Sequence, residues 1–342
     1  MRKILILSCA IVVWLYTLMV GGWFGLYRFS GDHLWWLALA NAFTPFLFAP
    51  LVVLLPAALI ARRRSVWIAL LLPLAIFAWL YGPLFLPARP GPPDTGVDLT
   101  VMSFNSWGGS RSRETPQVIV DNGRPDIVAL QELTPRLAEL YLAEVGHLYP
   151  YHYFNVSYST NGLGILSRYP LTRLPSQSLV GHYWQVQIVR VDIDNKPLIV
   201  YNIHPSSSNV VAYLRQNQPL ETWVAYSFRA RELFIKRLLA DMETRSEPII
   251  VLGDFNSTDR SDMYALLSAR LTDAHRTVGW GFGHTFPAYA GRYGNIPIIP
   301  RQVRIDMVFY SAEFEGLRSW VGRSGGESDH LPVIAELMWK PE

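Results

Sequence analysis

Two hydrophobic rhythms divide this chain. Up to residue 86 apolar residues run almost unbroken, whereas from residue 98 onward they come in short bursts, each closed by a polar side chain. Ile4–Leu26 runs about 23 residues, roughly 34 Å as a helix, which is enough to span a bilayer. Leu34–Ala61 is a second such run, interrupted by Pro45, Pro50 and Pro56, and Val66–Leu86 is a third. Those prolines would kink a soluble helix, but a membrane bundle tolerates them. The pattern predicts three transmembrane helices, at about 4–26, 34–61 and 66–86, in a membrane region 1–86. Residues 87–97, rich in Pro and Gly, read as a stiff linker. Residues 98–342 then form the remaining domain.

In that domain the alternation predicts strands. Asp98–Phe104 delivers Asn105, and Asp126–Gln131 ends in Glu132. Tyr151–Tyr158 is aromatic, and the run after Asn161 ends in Arg168. Gln185–Asp192 pairs with Pro197–Ile203 across Asp194 and Asn195, and His204 follows. Helical spacing covers Thr115–Asn122, Thr134–Val145, Glu221–Met242 and Arg260–Ala269. Ile249–Leu252 is apolar throughout, as suits a strand covered on both faces, and runs into Gly253, Asp254, Phe255 and Asn256. Asp254 and Asn256 lie two apart, so an extended chain points both the same way. A turn built on Asp and Asn is the competing reading. Gly279–Pro300 reads as a long aromatic loop. A further strand carries Asp306 near its start, and Asp329 and His330 precede the last one, Pro332–Leu337. Strands joined by crossovers in some places and hairpins in others predict a mixed α/β sandwich.

Polar residues thus recur at strand ends: Asn105, Glu132, His204, Asp254, Asn256, Asp329 and His330. Such ends are where sites gather in layered α/β proteins. Carboxylates, amides and imidazoles without thiols make a hard, oxygen-rich donor set suited to Mg²⁺, with Mn²⁺ as its substitute. The one cysteine, Cys9, lies in the first apolar run, so the second part of the chain has no disulfide partner and no Cys-based zinc site.

These residues carry a resemblance to the endonuclease/exonuclease/phosphatase superfamily, the DNase I-like fold. Its marks are Ser103-Phe104-Asn105, Gln131-Glu132, Asn161-Gly162 with Ser167-Arg168-Tyr169-Pro170, Gly253-Asp254-Phe255-Asn256, Ile305-Asp306 and Ser328-Asp329-His330, in the family's order across about residues 98–340. The resemblance implies a four-layer α/β (α+β) sandwich of two facing β-sheets flanked by helices. It also implies a Mg²⁺-dependent hydrolase of phosphoester bonds, using metal-activated water. Carried over residue by residue, Glu132 is the main metal ligand with Asn105 nearby, and Asp329 binds metal or aids the leaving group. Asp254 orients or deprotonates water, Asn256 holds the phosphate, and Asp306 fixes and charges His330, which stabilises the phosphoryl oxygens. His204 matches a second histidine of the nuclease members. Asn161 and Arg168 are carried over as substrate contacts, although Asn161 reads equally as a turn former and Arg168 as a surface cation.

Charge refines the picture. Arg2 and Lys3 precede the first apolar run and Arg62–Arg64 separate the second from the third. The positive-inside rule therefore places the N-terminus in the cytoplasm and the C-terminal domain outside; a multi-pass protein is expected, with a bacterial cell membrane as its expected place. From residue 98 onward 23 Lys and Arg face 25 Asp and Glu, so the formal +3 of the whole chain comes from its first part. A near-neutral domain lacks the broad basic field of a tight nonspecific DNA binder. Three readings stand: a membrane-anchored phosphodiesterase or nuclease; a phospholipid or sphingolipid phosphodiesterase or phosphatase; and a non-catalytic binding domain. The partners expected are the bilayer and a phosphoester, whether nucleic acid, lipid headgroup or small phosphodiester.

Overall fold

The structure is a computed structural model that describes residues 2–86, 96–176, 179, 185–207, 220–293 and 296–341. Residues 98–341 hold two six-stranded sheets. In the first, the order is β13 (Phe314–Val321), β14 (Val333–Trp339), β1 (Leu99–Asn105), β2 (Ile127–Gln131), β4 (Leu163–Ser167) and β3 (Tyr151–Asn155). In the second it is β5 (Leu171–Arg173), β6 (Val186–Ile193), β7 (Lys196–Ile203), β8 (Ile249–Asp254), β12 (Asp306–Tyr310) and β9 (Thr272–Asp273).

The period-two alternation of each strand builds the layers. Leu99, Val101, Ile127, Ala129 and Ile165 from one sheet meet Val189, Val200, Ile250, Leu252 and Val308 from the other in a shared core. The alternate residues point outward. Met102, Phe104, Val128 and Leu130 pack under α6 (Glu114–Asp121) and α7 (Pro135–Val145). Tyr201, Ile203, Val251 and Phe309 pack under α8 (Leu220–Met242) and α9 (Asp262–Ser268). The predicted four-layer sandwich is therefore the observed fold. Local signals also act as expected: the Thr134 side chain accepts from Leu137 N at the start of α7. Asp194 and Asn195 both take positive φ in the two-residue turn between β6 and β7.

Among the described residues three helices are long and apolar enough to cross a membrane: Ile6–Ser30, Thr44–Ala61 and Arg64–Phe85. The second apolar run is not one helix from Leu34, as its hydropathy suggested. Trp35–Ala42 forms a separate short helix, α2, which packs against α8 of the sandwich. Its Asn41 amide bonds the Asp32 carboxylate at 2.9 Å and accepts from the Trp23 indole at 3.1 Å. Those polar bonds hold α2 at the end of the bundle, and the second helix long enough to cross begins after it, at Thr44. All but residues 96 and 97 of the expected linker lies outside the described residues.

Other expectations also need correction. Residues 279–300 are not one loop, because Gly291–Tyr293 and Ile296–Ile298 pair as a hairpin, β10 and β11. The edge strand β13, the short strands β5 and β9, and the helix α10 (Ala274–Val278) carried no sequence signal strong enough to single them out.

Candidate active site

Strand pairing decides which polar residues meet. Parallel pairing sets Asn105 opposite Gln131, so Asn105 and Glu132 emerge at one edge of the first sheet. In the second sheet, parallel pairing sets Ile203 opposite Gly253, so His204 and Asp254 emerge side by side. Antiparallel pairing of β12 with β8 places Asp306 directly opposite Asp254. The facing sheets then bring the two groups together: Asn105 Nδ2 donates to Asp254 Oδ2 at 3.0 Å. Gly253 is required where β8 runs beside β7, since a Cβ there would collide with the Ile203 carbonyl oxygen.

Asp254 is the hub. Its Oδ2 also lies 3.6 Å from His204 Nε2 and 3.7 Å from His330 Nε2. Its Oδ1 accepts the backbone N–H of Asn256 at 2.8 Å. This bond closes a tight turn with Asn256 at φ 49°, so the chain is not extended here and the two side chains do not project together. The Asn256 amide instead donates to the Pro205 carbonyl at 3.0 Å, fixing the segment that follows His204. His204 is anchored from behind, with Nδ1 donating to the Thr160 carbonyl at 3.0 Å.

His330 Nδ1 meets Asp306 Oδ2 at 2.9 Å, with both groups buried. Burial by itself disfavours the imidazolium, but Asp306, Asp254 and Asp329 outweigh it and hold the ring's pKa up to about 10. Burial is also the main influence raising Asp306, and the charged ring pulls against it. The backbone around His330 is pinned by Ser328, whose hydroxyl donates to the Asn105 carbonyl at 2.6 Å and accepts from His330 N at 3.0 Å. Phe286 covers the imidazole with its ring centroid 4.7 Å away.

On the other side of Asn105 stand the remaining acids. Glu132 adopts φ 56°, a left-handed conformation that costs a non-glycine residue roughly 1–2 kcal/mol. Its two oxygens take one donor each, Asn105 Nδ2 at 3.4 Å and Gly108 N at 3.0 Å. Asp329 is pushed up chiefly by burial, and the like charges of Glu132 and Asp254 add to this while His330 opposes it. Partly desolvated carboxylates that repel one another call for a cation between them, and all-oxygen donors fit a hard divalent ion. Asn105 bridges Glu132 and Asp254 with its N–H groups, and its oxygen takes Trp107 N at 3.0 Å. It therefore steadies the two acids while its oxygen accepts one backbone N–H. Asp254, Asp306 and His330 also place ligand-type atoms within 4.8 Å of one another. That group is a poorer metal site, because the Asp306–His330 pair already holds a proton between its closest atoms.

Two predicted substrate contacts fare differently. Asn161 is exposed and lies next to Thr160, the residue that anchors His204. Arg168 is remote: Ser167 pairs with Ile127, at the opposite end of β2 from Glu132. Its guanidinium bonds Asp126 at 3.1 Å and the Arg124 carbonyl at 2.6 Å, which makes it a strut of the far edge. There is also a buried polar network that no strand-end pattern signals. Gln131 Nε2 donates to Asn202 Oδ1 at 2.7 Å, and Asn202 Nδ2 donates to the Leu130 and Gly164 carbonyls, both at 3.0 Å, tying the sheets together beneath the site. An Asn on the inward face of so apolar a strand was the available signal, since it must find partners.

No curated protein matches the chain. Solved structures do. Truncated Caenorhabditis elegans TDP2 is 19% identical, with 70% of this chain and 97% of that one covered at TM-score 0.51. D. rerio TDP2 complexed with single strand DNA product is 17% identical, covering 70% and 98% at 0.51. The human Nocturnin catalytic domain with bound sulfate anion is 15% identical, covering 72% and 96% at 0.50. Identities this low speak for the fold alone. The family model described as Endonuclease/Exonuclease/phosphatase family matches residues 102–330, from within β1 to His330 itself. This span takes in the whole strand-end cluster, and the chain belongs to the endonuclease/exonuclease/phosphatase family.

Proposed function

We propose that this chain is a membrane-anchored, divalent-metal-dependent phosphodiesterase that cleaves its ester by in-line attack of water. The observation that supports this most is the convergence on Asp254 Oδ2 of an amide and two imidazoles, one of them backed by a buried carboxylate. Glu132 and Asp329 hold the cation, with Asn105 steadying Glu132. When bound, Mg²⁺ neutralises phosphate charge and makes water easier to deprotonate.

The chain's own groups do the rest. Asp254 orients the attacking water and accepts its proton. His330, charged by Asp306, offers an N–H to the phosphoryl oxygens as negative charge builds there. His204, steadied by Thr160, directs Nε2 toward the same point. Asn256 is a positioning residue, because its amide holds Pro205 and its backbone N–H holds Asp254. The products are a free hydroxyl and a phosphomonoester. In the membrane, Arg2, Lys3 and Arg62–Arg64 face the cytoplasm and the catalytic domain lies outside.

The test is full-length protein in detergent with bis-p-nitrophenyl phosphate. Turnover that needs Mg²⁺ or Mn²⁺, stops with chelator and is lost in Glu132→Ala supports the proposal. Metal-independent turnover, or full activity in Glu132→Ala, overturns it.

A further inference from the structure

The membrane helices do not hang from the sandwich by a tether alone; they bind it, and they bind it beside the catalytic edge. Asp32, in the turn after the first apolar helix, accepts from Asp262 N at 2.9 Å, while the Asp262 carboxylate accepts from Asp32 N at 2.8 Å. Asp262 opens the helix that follows the Asp254–Asn256 turn. Arg276 donates to the Leu80 carbonyl at 2.8 Å, and Gly281 N donates to the Leu84 carbonyl at 2.7 Å. Both carbonyls belong to the last turns of the third apolar helix. Phe282 packs its ring against Tyr81 and Phe85, at 5.3 and 5.2 Å, and joins the core of the membrane bundle.

These contacts set the depth of the site. Gly281 touches the end of the third helix, and Phe286, five residues on, covers His330. Five residues reach at most about 18 Å at full extension. The catalytic edge is therefore tied to within about 18 Å of where the span ends, next to a headgroup layer roughly 5–7 Å thick. Trp280 sits at the same level, 69% exposed and 5.7 Å from the Phe85 ring. An exposed Trp at a span end is the pattern of an interfacial anchor. A diffusible substrate gains nothing from a site held at this depth, and a near-neutral domain offers little field to gather a polyanion such as nucleic acid.

We infer that the pocket works on the bilayer surface and that its substrate is a phosphoester carried by a membrane lipid. This rests on the hydrolase reading above and narrows it. The lipid need not leave the bilayer, because its phosphate already sits at headgroup level when the anchored site meets it. Trp280 and the Phe282 contact hold the pocket mouth at that level.

The experiment uses the full chain reconstituted in vesicles of phosphatidylethanolamine and phosphatidylglycerol, with release of water-soluble phosphorus as the readout. A single-stranded oligonucleotide and bis-p-nitrophenyl phosphate are run in parallel. The expected result is release from the vesicles with no cleavage of the oligonucleotide. Trp280→Ala should lower vesicle turnover at least fivefold and leave bis-p-nitrophenyl phosphate turnover within twofold. Hydrolysis of bis-p-nitrophenyl phosphate without release from vesicles overturns the lipid inference and leaves the hydrolase reading standing. So does cleavage of the oligonucleotide in preference to lipid, or unchanged vesicle turnover in Trp280→Ala. Absence of turnover on all three substrates overturns the hydrolase reading itself.

Discussion

Asp306 Oδ2 lies 2.9 Å from His330 Nδ1 while its Oδ1, also buried, has no hydrogen-bond partner among the described residues. His330 is the charged group that pulls against the burial of this carboxylate, and Thr285 assists it. Asp306→Asn removes the negative charge that counters the burial of the imidazolium. Turnover of bis-p-nitrophenyl phosphate should fall by about 10²–10⁴ in kcat, the range for a lost acid–base partner, with little change in KM. A loss confined to KM would count against the role given to the pair.

Glu132 and Asp329 make a metal prediction that does not depend on turnover. Mg²⁺ should raise the thermal midpoint of the wild-type chain in detergent by the linkage of a ligand that binds only the folded state, about 2.7 kcal/mol at a hundredfold excess over Kd. Glu132→Ala and Asp329→Ala should each abolish most of that rise. An equal Mg²⁺ response in both variants would place the cation elsewhere.

Gly253 is pressed against the Ile203 carbonyl at the point where β7 and β8 deliver His204 and Asp254. Gly253→Ala must push the two strand ends apart. The expected cost is roughly 2–4 kcal/mol of stability, with activity reduced even in the folded fraction. Thermal unfolding and the specific activity of the soluble peak read both effects. A variant as stable and active as wild type would show that the strands separate freely.

His275 gives a pH prediction away from the strand-end cluster. It is 3% exposed; Nε2 donates to the Gly281 carbonyl at 3.1 Å, and Nδ1 has no partner among the described residues. Burial first, and Arg304 second, depress its pKa to about 4 against Asp273. The folded ring stays neutral where the unfolded one, near 6.5, takes up a proton. Its contribution is therefore present in full above pH 6.5 and is lost as pH falls toward 4, a swing of about 3 kcal/mol. The difference in unfolding midpoint between wild type and His275→Gln, followed from pH 7 to pH 4, should shrink as the solution becomes acid. A difference that stays constant would mean the ring protonates without consequence.

Much of this molecule is written in local pattern. The unbroken apolar runs announce helices that suit a membrane, because no soluble core needs such length. The alternating runs announce strands, because side chains on a strand change face at every residue. The residues closing β1, β2, β7 and β8 were legible as chemistry, since Asn, Glu, His and Asp at the ends of apolar strands have no packing reason to be there.

Tertiary structure decided which of those ends share a pocket. Arg168 closes a strand just as Glu132 does, yet antiparallel pairing of β4 with β2 sends it to the far edge, where it binds Asp126. Asn256 follows Asp254 at strand spacing, yet one hydrogen bond to the Asp254 carboxylate bends the chain and turns its amide to Pro205. The bonds between Asp32 and Asp262, which are 230 positions apart, left no trace in either neighbourhood. Periodicity reports what a residue does with its neighbours in the chain. Strand direction, register and the docking of the apolar bundle on the sandwich come from contacts between distant segments, and those contacts set both the composition of the site and its place beside the bundle.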